Sequence, residues 1–206
     1  MIGRSSKGRL VAAALTLFLF AGTAARADDP AVDRLSVPGP ITFGPDTYKL
    51  SWSSHPSTNY YKQEYLPDGQ TSEHFSRMVL VEATLPGADV ARVAASQVQW
   101  LDNRKATDPV VNYAILKNAK SGEVILDFVL SADGPKADYV VEWDAYRYAP
   151  LAQKDGKAGV LLFGISRRAY GDDTTDFLRA LKSTRPQEID ALAKYKLPPV
   201  TLHAAD

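Results

Sequence analysis

Three carboxylates in two strand-like segments have side-chain types and a spacing that could support chemistry. Asp127 lies in segment 123–131, and Glu142 and Asp144 lie in the next segment, 139–148. If these segments pair as a hairpin with Asp127 opposite Glu142, alternation places all three carboxylates on one sheet face. Like charges that face each other destabilise a sheet unless a cation or a proton lies between them. The pattern therefore predicts a polar pocket or, alternatively, a solvated face with local ion pairs.

Other polar side chains fall on the same predicted face. Tyr113 and Tyr146 would border the three carboxylates, and Arg168 or Lys117 would supply positive charge. Together these groups predict a pocket for a small polar ligand or a divalent cation. The prediction depends on the strand pairing, because a shift of one residue in register moves every side chain of a strand to the other face.

A tyrosine-rich hairpin is the second candidate binding surface. The stretch YYKQEYL, residues 60–66, is followed by a Pro-Asp-Gly turn, and alternation places Tyr61 and Tyr65 on one face of this strand. Tyrosine favours interfaces because its ring packs while its hydroxyl remains hydrogen-bonded. We expect Tyr61 and Tyr65 to contact a partner at the edge or the mouth of the sheet. The alternative is that they are ordinary half-buried strand residues.

No motif in the sequence assigns a catalytic group or a resident cofactor. The three histidines, His55, His74 and His203, are too scattered to predict the convergent ligands of a metal site. The stretch FGISRR lacks the second glycine of a nucleophile elbow, and no loop has the glycine and lysine spacing that binds phosphate. We therefore predict no catalytic residue, no metal ligand and no cofactor.

The N-terminus is typical of a signal peptide. Three basic residues precede an apolar run from residue 10 to residue 21, and residues 25–27 (ARA) have the small-x-small pattern of a cleavage site. The run is too short to span a bilayer. We predict cleavage after Ala27, and hence a periplasmic or secreted protein without membrane contact once residues 1–27 are removed.

The charge and the cysteine content of the chain exclude further classes of protein. Removal of the four basic residues in 1–27 leaves 20 basic residues against 24 acidic ones, which excludes the strongly cationic surface of a nucleic-acid-binding protein. The chain contains no cysteine, so its fold must be stabilised by the hydrophobic core without disulfides. The 179 residues that remain after cleavage are enough for one such domain.

Periodicity and turn residues divide the rest of the chain. Residues 28–45, rich in proline and glycine, predict an extended lead-in, residues 46–197 a single domain, and residues 198–206 a flexible tail. Apolar positions at helical spacing predict a helix over 88–103, and capping residues with Pro186 predict two more over 172–182 and 186–195. Seven segments have strand patterns: 48–53, 60–66, 75–84, 110–117, 123–131, 139–148 and 160–168.

The resulting element order is βββ-α-ββββ-α-α. It predicts an α+β domain with a twisted antiparallel sheet of six to seven strands and helices on both faces. The order is similar to that of the small secreted and lumenal domains called PsbP-like or Mog1-like, and this resemblance implies an α/β/α sandwich. A resemblance in element order assigns no function to any residue.

Two functions from different classes remain. The first is an exported, small, non-catalytic binding or accessory domain whose partner is an unknown protein or a small polar ligand. The second is a hydrolase or metal-assisted enzyme that uses Asp127, Glu142 and Asp144 as acid, base or metal ligands. The missing catalytic motifs favour the first function, and carboxylates grouped in a cavity with shifted pKa values would favour the second.

Overall fold

The computed structural model describes residues 31–85, 87–134, 139–152 and 158–202. The predicted signal peptide, residues 1–27, lies outside the described residues, as does His203. None of the described helices is both long and apolar enough to cross a membrane.

Eight antiparallel strands form one sheet that curls into a half-barrel. Its order is β1-β2-β3-β4-β8-β7-β6-β5, so that two four-stranded meanders are joined by the pairing of β4 with β8. Strands β1 and β5 form the two edges of the sheet. The strands are β1 (Ile41–Phe43), β2 (Asp46–Ser57), β3 (Tyr60–Leu66), β4 (Arg77–Thr84), β5 (Asn112–Asn118), β6 (Glu123–Asp133), β7 (Tyr139–Ala152) and β8 (Ala158–Tyr170).

Side chains of the central strands alternate between two hydrophobic clusters, one on each face of the sheet. In β8, Phe163 and Ile165 belong to the first cluster, whereas Val160 and Leu162 belong to the second. Strands β7 and β8 are buried on both faces over most of their length. Their sequences are therefore nearly continuous in apolar residues, with the few polar side chains enclosed.

Helix α1, Val90–Arg104, packs on the second cluster. Its N-cap, Asp89, accepts a hydrogen bond from the backbone N–H of Arg92 at 2.8 Å, which satisfies one of the free amides at the helix start. After the helix, buried Asp108 accepts hydrogen bonds from Arg104 Nε at 2.9 Å and from Ser131 Oγ at 2.7 Å. These bonds attach the end of α1 to β6.

Helix α2, Thr174–Lys194, packs on the first cluster through Phe177, Leu181 and Ile189, with Leu192 fully buried. The expected pair of helices is therefore one continuous helix that contains Pro186. Proline removes one backbone hydrogen bond from a helix. Apolar contacts on both sides of Pro186 keep the two halves on the same surface, so the helix continues through it.

The expected fold class, a six- to seven-stranded α+β sandwich with helices on both faces, is wrong. The protein is mostly sheet, with eight antiparallel strands in a curled half-barrel and two helices. Both helices pack mainly on β6 to β8, so two single helices do not make the helical layers of an α/β/α sandwich. The expectation failed because β1 was assigned to the lead-in and α2 was counted twice.

The proline- and glycine-rich lead-in is part of the packed domain. Leu35, Val37 and the two apolar residues of β1 are buried in the first cluster. The segment after α2 reaches the lead-in, since the backbone N–H of Thr201 donates to the carbonyl of Leu35 at 3.0 Å. Both segments therefore cover one face of the sheet.

Candidate functional site

Glu142 of β7 and Arg168 of β8 form an ion pair on the face of the second cluster. They lie directly opposite each other in the register, and Arg168 Nε donates to Glu142 Oε2 at 2.6 Å. Ser166 Oγ donates to the other oxygen of Glu142 at 2.9 Å. Glu142 is therefore satisfied by one cation and one hydroxyl although it is only 9% exposed.

Asp144, two residues along β7, lacks such partners. Its side chain is fully buried beside Glu142 and Ser166, but neither oxygen of its carboxyl group makes a hydrogen bond of normal geometry among the described residues. Burial and, next, the negative charge of Glu142 raise the pKa of Asp144 well above its ordinary value. Asp144 is therefore expected to keep its proton over a wider pH range than an exposed aspartate does.

Two tyrosines of β7 continue this face beyond Asp144. Tyr146 lies opposite Gly164 in the register, and a Cβ atom on Gly164 would come within 2.9 Å of the Tyr146 ring. The missing side chain at Gly164 thus leaves room for the ring. Tyr148 is fully buried, and its hydroxyl has no hydrogen-bond partner among the described residues. Burial and, next, the charges of Glu82 and Asp144 raise the pKa of Tyr148 well above its ordinary value.

Strands β3 and β4 bring a second group of charges to the same face. Lys62 Nζ lies 2.9 Å from Glu64 Oε1 and 4.0 Å from Glu82 Oε1, and the Tyr60 hydroxyl donates to Glu82 Oε2 at 2.7 Å. Burial lowers the pKa of Lys62, but the carboxylates of Glu64 and Glu82 outweigh it, so the net shift is upward. Lys62 therefore remains charged, as an ammonium ion held by two carboxylates.

These two groups form one surface, which we call the polar cluster. It contains four carboxylic side chains and two basic ones, so acidic groups are in excess. Asp144 forms its closed floor, whereas the side chains of Lys62 and Arg168 are 24% and 15% exposed at its rim. The members are Tyr60, Lys62, Glu64, Glu82, Glu142, Asp144, Tyr146, Tyr148, Ser166 and Arg168.

A protein-family model matches residues 35–197, which is most of the chain and includes the whole polar cluster. The chain belongs to this family. The family is one of unknown function, and no curated protein matches the chain. Family membership thus assigns no role to the polar cluster, and its chemistry must be argued from the residues themselves.

Four of the eight residues that were predicted to contact a ligand or a partner lie together in the structure. Glu142, Asp144, Tyr146 and Arg168 share the polar cluster. Asp127 does not join them, because it lies opposite Ala145, not opposite Glu142. The observed pairing differs from the expected one by three residues, and an odd shift moves the side chain to the other face.

On that other face Asp127 is part of the attachment of α2. Arg185 of α2 donates through Nε to Asp127 Oδ1 and through Nη2 to Asp127 Oδ2, the latter at 3.0 Å. The indole N–H of Trp143 lies 3.4 Å from the same carboxylate. Asp127 is therefore fully occupied by structural contacts, and the expected group of three carboxylates does not form.

The tyrosines expected to contact a partner are mostly enclosed. Tyr65 is fully buried and Tyr61 is 7% exposed. The Tyr65 hydroxyl donates to the carbonyl of Val37 at 2.5 Å, and Tyr61 stacks on His55 at 4.0 Å between ring centroids. The hairpin surface was expected at a sheet edge, but β3 is an interior strand that the lead-in covers.

Tyr113 is the third tyrosine that lies apart from the polar cluster. It is in the edge strand β5, where its hydroxyl donates to Asp102 of α1 at 3.0 Å. The ammonium group of Lys105 lies 4.3 Å from the centre of its ring. Tyr113 therefore joins α1 to the sheet edge.

Metal binding has no support within the described ranges. They contain no group of three or more His, Cys, Asp or Glu side chains that could hold a metal ion. His55 stacks on Tyr61, and His74 stacks on Tyr170 at 4.3 Å. Both described histidines thus have structural contacts.

Two surface grooves lie elsewhere on the molecule. One, of about 320 Å³, separates residues 36–42 from residues 195–199, and the other, of about 360 Å³, lies beside the start of α1. Neither groove is lined by a member of the polar cluster. Because a binding site needs convergent polar groups as well as a concave surface, the polar cluster is the stronger candidate.

Sequence reasoning missed the half of the polar cluster that β3 and β4 contribute. One signal was present in the run RMVLVEAT, residues 77–84, where Glu82 is the only charged residue after Arg77 and follows four apolar residues. A carboxylate inside such a run must find a cation or a hydrogen-bond donor. Alternation in the preceding strand supplies both, because Tyr60 and Lys62 share one face.

Replacement of Asp144 by asparagine tests its protonation. Because the folded chain holds the Asp144 proton more tightly than the unfolded chain, stability is greatest below the ordinary aspartate pKa and falls as the pH rises towards the folded pKa. The fall is at most about 1.4 kcal/mol per pH unit for one proton. We expect urea unfolding of Asp144→Asn to give a flatter dependence of stability on pH than the wild type between about pH 4 and pH 8.

Asp190→Asn is the matched control, since Asp190 is exposed on α2, outside the polar cluster, and forms an ion pair with Lys194. Its curve should run parallel to that of the wild type. If the Asp144→Asn curve also runs parallel to the wild-type curve, Asp144 does not hold its proton in the folded chain.

Proposed function

We propose that the protein is a small, exported, non-catalytic binding or accessory domain, and that the polar cluster contacts its ligand. One observation carries this proposal: Asp144 is a fully buried carboxyl group whose two oxygens have no hydrogen-bond partner among the described residues. An unsatisfied buried polar group costs about 1 to 3 kcal/mol. A sheet retains such a group at a cost in stability, and a bound ligand with donor groups would remove that cost.

A second group with the same property supports a ligand at this place. The Tyr148 hydroxyl is buried and has no hydrogen-bond partner among the described residues, and the register places Tyr148 and Glu82 on either side of Leu162 of β8. Asp144 can accept hydrogen bonds, and the Tyr148 hydroxyl can accept or donate one. The two groups therefore offer a ligand complementary contacts from the same face of one strand, four residues apart with Tyr146 between them.

The charge of the cluster selects the class of ligand. Burial raises the pKa of Glu82, although Lys62 and Tyr60 oppose this shift. Once Glu82 is ionised, the carboxylates of Glu64, Glu82 and Glu142 exceed the two cations, Lys62 and Arg168, even with Asp144 protonated. An anion entering here would be repelled, whereas a small cation that donates hydrogen bonds would be attracted. Lys62 itself shows that two of these carboxylates hold an ammonium group at 2.9 and 4.0 Å.

A ligand that reaches Asp144 must pass Lys62 and Arg168 at the rim of the polar cluster. The long side chains of Lys62 and Arg168 are partly exposed there, and each can change rotamer without moving the backbone. Arg168 also lies over the ring of Phe75 at 4.0 Å, which belongs to the segment between β3 and β4. We therefore place ligand entry between Lys62 and Arg168, with Asp144 at the inner end.

The alternative function, a hydrolase, loses its basis in this arrangement. It required Asp127 beside Glu142 and Asp144, and Asp127 lies on the opposite face in contact with Arg185. Glu142 is in turn bonded to Arg168 and Ser166. Two carboxyl groups in these states do not make the acid and base that the hydrolase hypothesis needed.

A thermal-shift experiment tests the binding proposal. The purified chain without residues 1–27 is titrated with ammonium, methylammonium, ethylenediammonium, Mg²⁺ and Ca²⁺, and with acetate and phosphate as anionic comparisons. We expect one of the ammonium ions, which donate hydrogen bonds, to raise the melting temperature in a saturable way and more than Mg²⁺ or Ca²⁺ does, since a ligand that binds only the folded state stabilises it. Binding displaces the Asp144 proton, so the shift should increase as the pH is raised.

Two variants separate specific binding from a general salt effect. Asp144→Asn and Asp190→Asn each remove one acidic group, but only Asp144 lies in the polar cluster. The shift should be lost in Asp144→Asn and kept in Asp190→Asn. If no cation distinguishes the two variants, or if the anions give the larger shift, the proposed ligand contact is wrong.

The proposed export has its own test. Expression of the full chain in a Gram-negative host, followed by cell fractionation and mass spectrometry of the product, should give a periplasmic protein that begins at Asp28. The pattern of residues 25–27 carries this expectation. A cytoplasmic product that retains residues 1–27 would contradict export while leaving the ligand proposal open to its separate test.

A further inference from the structure

The edge strand β5 is unusually open for pairing. It pairs with β6 over all seven residues, Asn112 to Asn118, without a bulge, and its other side has no neighbouring strand in the described sheet. An edge of this kind presents unpaired backbone N–H and C=O groups in a regular row. Such a row is a template for one more strand.

The two edges of the sheet differ in how they are protected. Strand β1, at the far edge, has only three residues, and a short edge strand offers little to pair with. Strand β5 has no proline, and Lys117 is its only charged residue. Its two aliphatic residues, Ile115 and Leu116, are 41% and 46% exposed. Exposed apolar side chains on both faces of an open edge indicate an interface.

We propose that β5 pairs with β5 of a second copy of this chain, antiparallel and centred on Ile115, which joins the two sheets into one. A two-fold axis perpendicular to the sheet leaves each side chain on the same face of the sheet in both copies. A residue of one copy can therefore face only the same residue of the other copy, or one that is an even number of positions away in the sequence. Only a centre on Ile115 pairs all seven residues of the strand. The strand length thus determines the register.

The side chains of β5 are complementary to themselves in this register. Ile115 faces its own copy, and the small side chain of Ala114 faces the larger one of Leu116. These pairs bury the exposed aliphatic groups on both faces of the joined sheet. At the ends, Asn112 faces Asn118, and two amide side chains can hydrogen-bond to each other.

The same pairing also fixes the surroundings of Lys117, the one charged residue of β5. Lys117 of one copy faces Tyr113 of the other, whose hydroxyl donates to the carboxylate of Asp102 at 3.0 Å. The ring and this carboxylate already attract a cation, since Lys105 Nζ lies 4.3 Å from the ring centre and 3.0 Å from Asp102 Oδ1. The single charge of β5 therefore meets the Tyr113 ring and the Asp102 carboxylate of the partner together with the Lys105 ammonium group that they already hold, and no charge of β5 itself faces it.

The small size of the contact decides the protein concentrations at which the dimer must be measured. Pairing of seven-residue strands buries less surface than an obligate interface, so we expect a reversible dimer that is measured at protein concentrations up to about 500 µM. Light scattering after size exclusion, or sedimentation velocity, should show a mass that rises from monomer to dimer. A monomer at the highest concentration would overturn the proposal.

Two substitutions at one residue locate the interface. Ile115→Lys places two ammonium groups opposite each other at the two-fold axis, so the dimer should be lost. Ile115→Val keeps a β-branched aliphatic side chain and should keep the dimer. Ile115 is half exposed, so both variants should fold, which circular dichroism verifies. A dimer that survives Ile115→Lys uses another surface, and the proposal is then wrong.

Cross-linking tests the register directly, because the natural chain has no cysteine. With a short bismaleimide, Ile115→Cys should give a covalent dimer in high yield, since this residue faces its own copy. Asp190→Cys, at an exposed position of α2, should give little. Equal yields from the two variants would overturn the proposed register.

Discussion

The register of β6, β7 and β8 is the constraint on which the rest of the structure depends. Asp144 lies opposite Phe128 on one side and Ser166 on the other. Because side chains alternate, this single pairing decides the face of every charged residue in the three strands. It sends Asp127 towards α2 and collects Glu142, Asp144 and Arg168 on the other side.

The two faces then differ in how their charges are satisfied. On the face of α2 the partners come from the helix: Arg185 meets Asp127, and Arg147 donates to the carbonyl groups of Leu192 and Tyr195 at 3.0 and 2.8 Å. The helix therefore completes these contacts and is held by them. On the face of the polar cluster, Ser166 lies opposite Asp144 but donates its hydroxyl hydrogen to Glu142 at 2.9 Å, and neither oxygen of Asp144 makes a hydrogen bond among the described residues. The carboxyl group of Asp144 thus lacks hydrogen bonds that the carboxylates of Asp127 and Glu142 have. This difference is the physical basis of the binding proposal.

The sequence predicts local elements well and their pairing poorly. Helix α1 was expected over 88–103 and occupies Val90–Arg104, because the 3.6-residue period of its apolar residues is a local signal. The register of the β6–β7 hairpin depends on the length of the connection, which the sequence leaves open by several residues. That uncertainty moved Asp127 to the wrong face. Pro186 suggested a helix start by a local rule, and tertiary packing of α2 overrode it.

Burial of the polar residues could not be read from local patterns either. The sequence pattern predicts Tyr65 as a surface residue of a hairpin. Its hydroxyl instead donates a hydrogen bond to the carbonyl of Val37, which lies 28 residues earlier in the chain. Lys62 and Glu142 are more than 70 residues apart and meet only because β4 pairs with β8. Such contacts follow from the topology of the sheet, and one sequence does not determine the order of eight strands.

The central claim is that Asp144 is a carboxyl group held in the sheet interior, protonated and without a partner until a ligand arrives. The most direct test is a carbon-13 NMR titration of the side-chain carboxyl groups, with Asp144 assigned through the Asp144→Asn variant. The account predicts a midpoint for Asp144 well above the ordinary aspartate value, raised by burial and by Glu142. A midpoint close to that ordinary value of about 3.9 would contradict it.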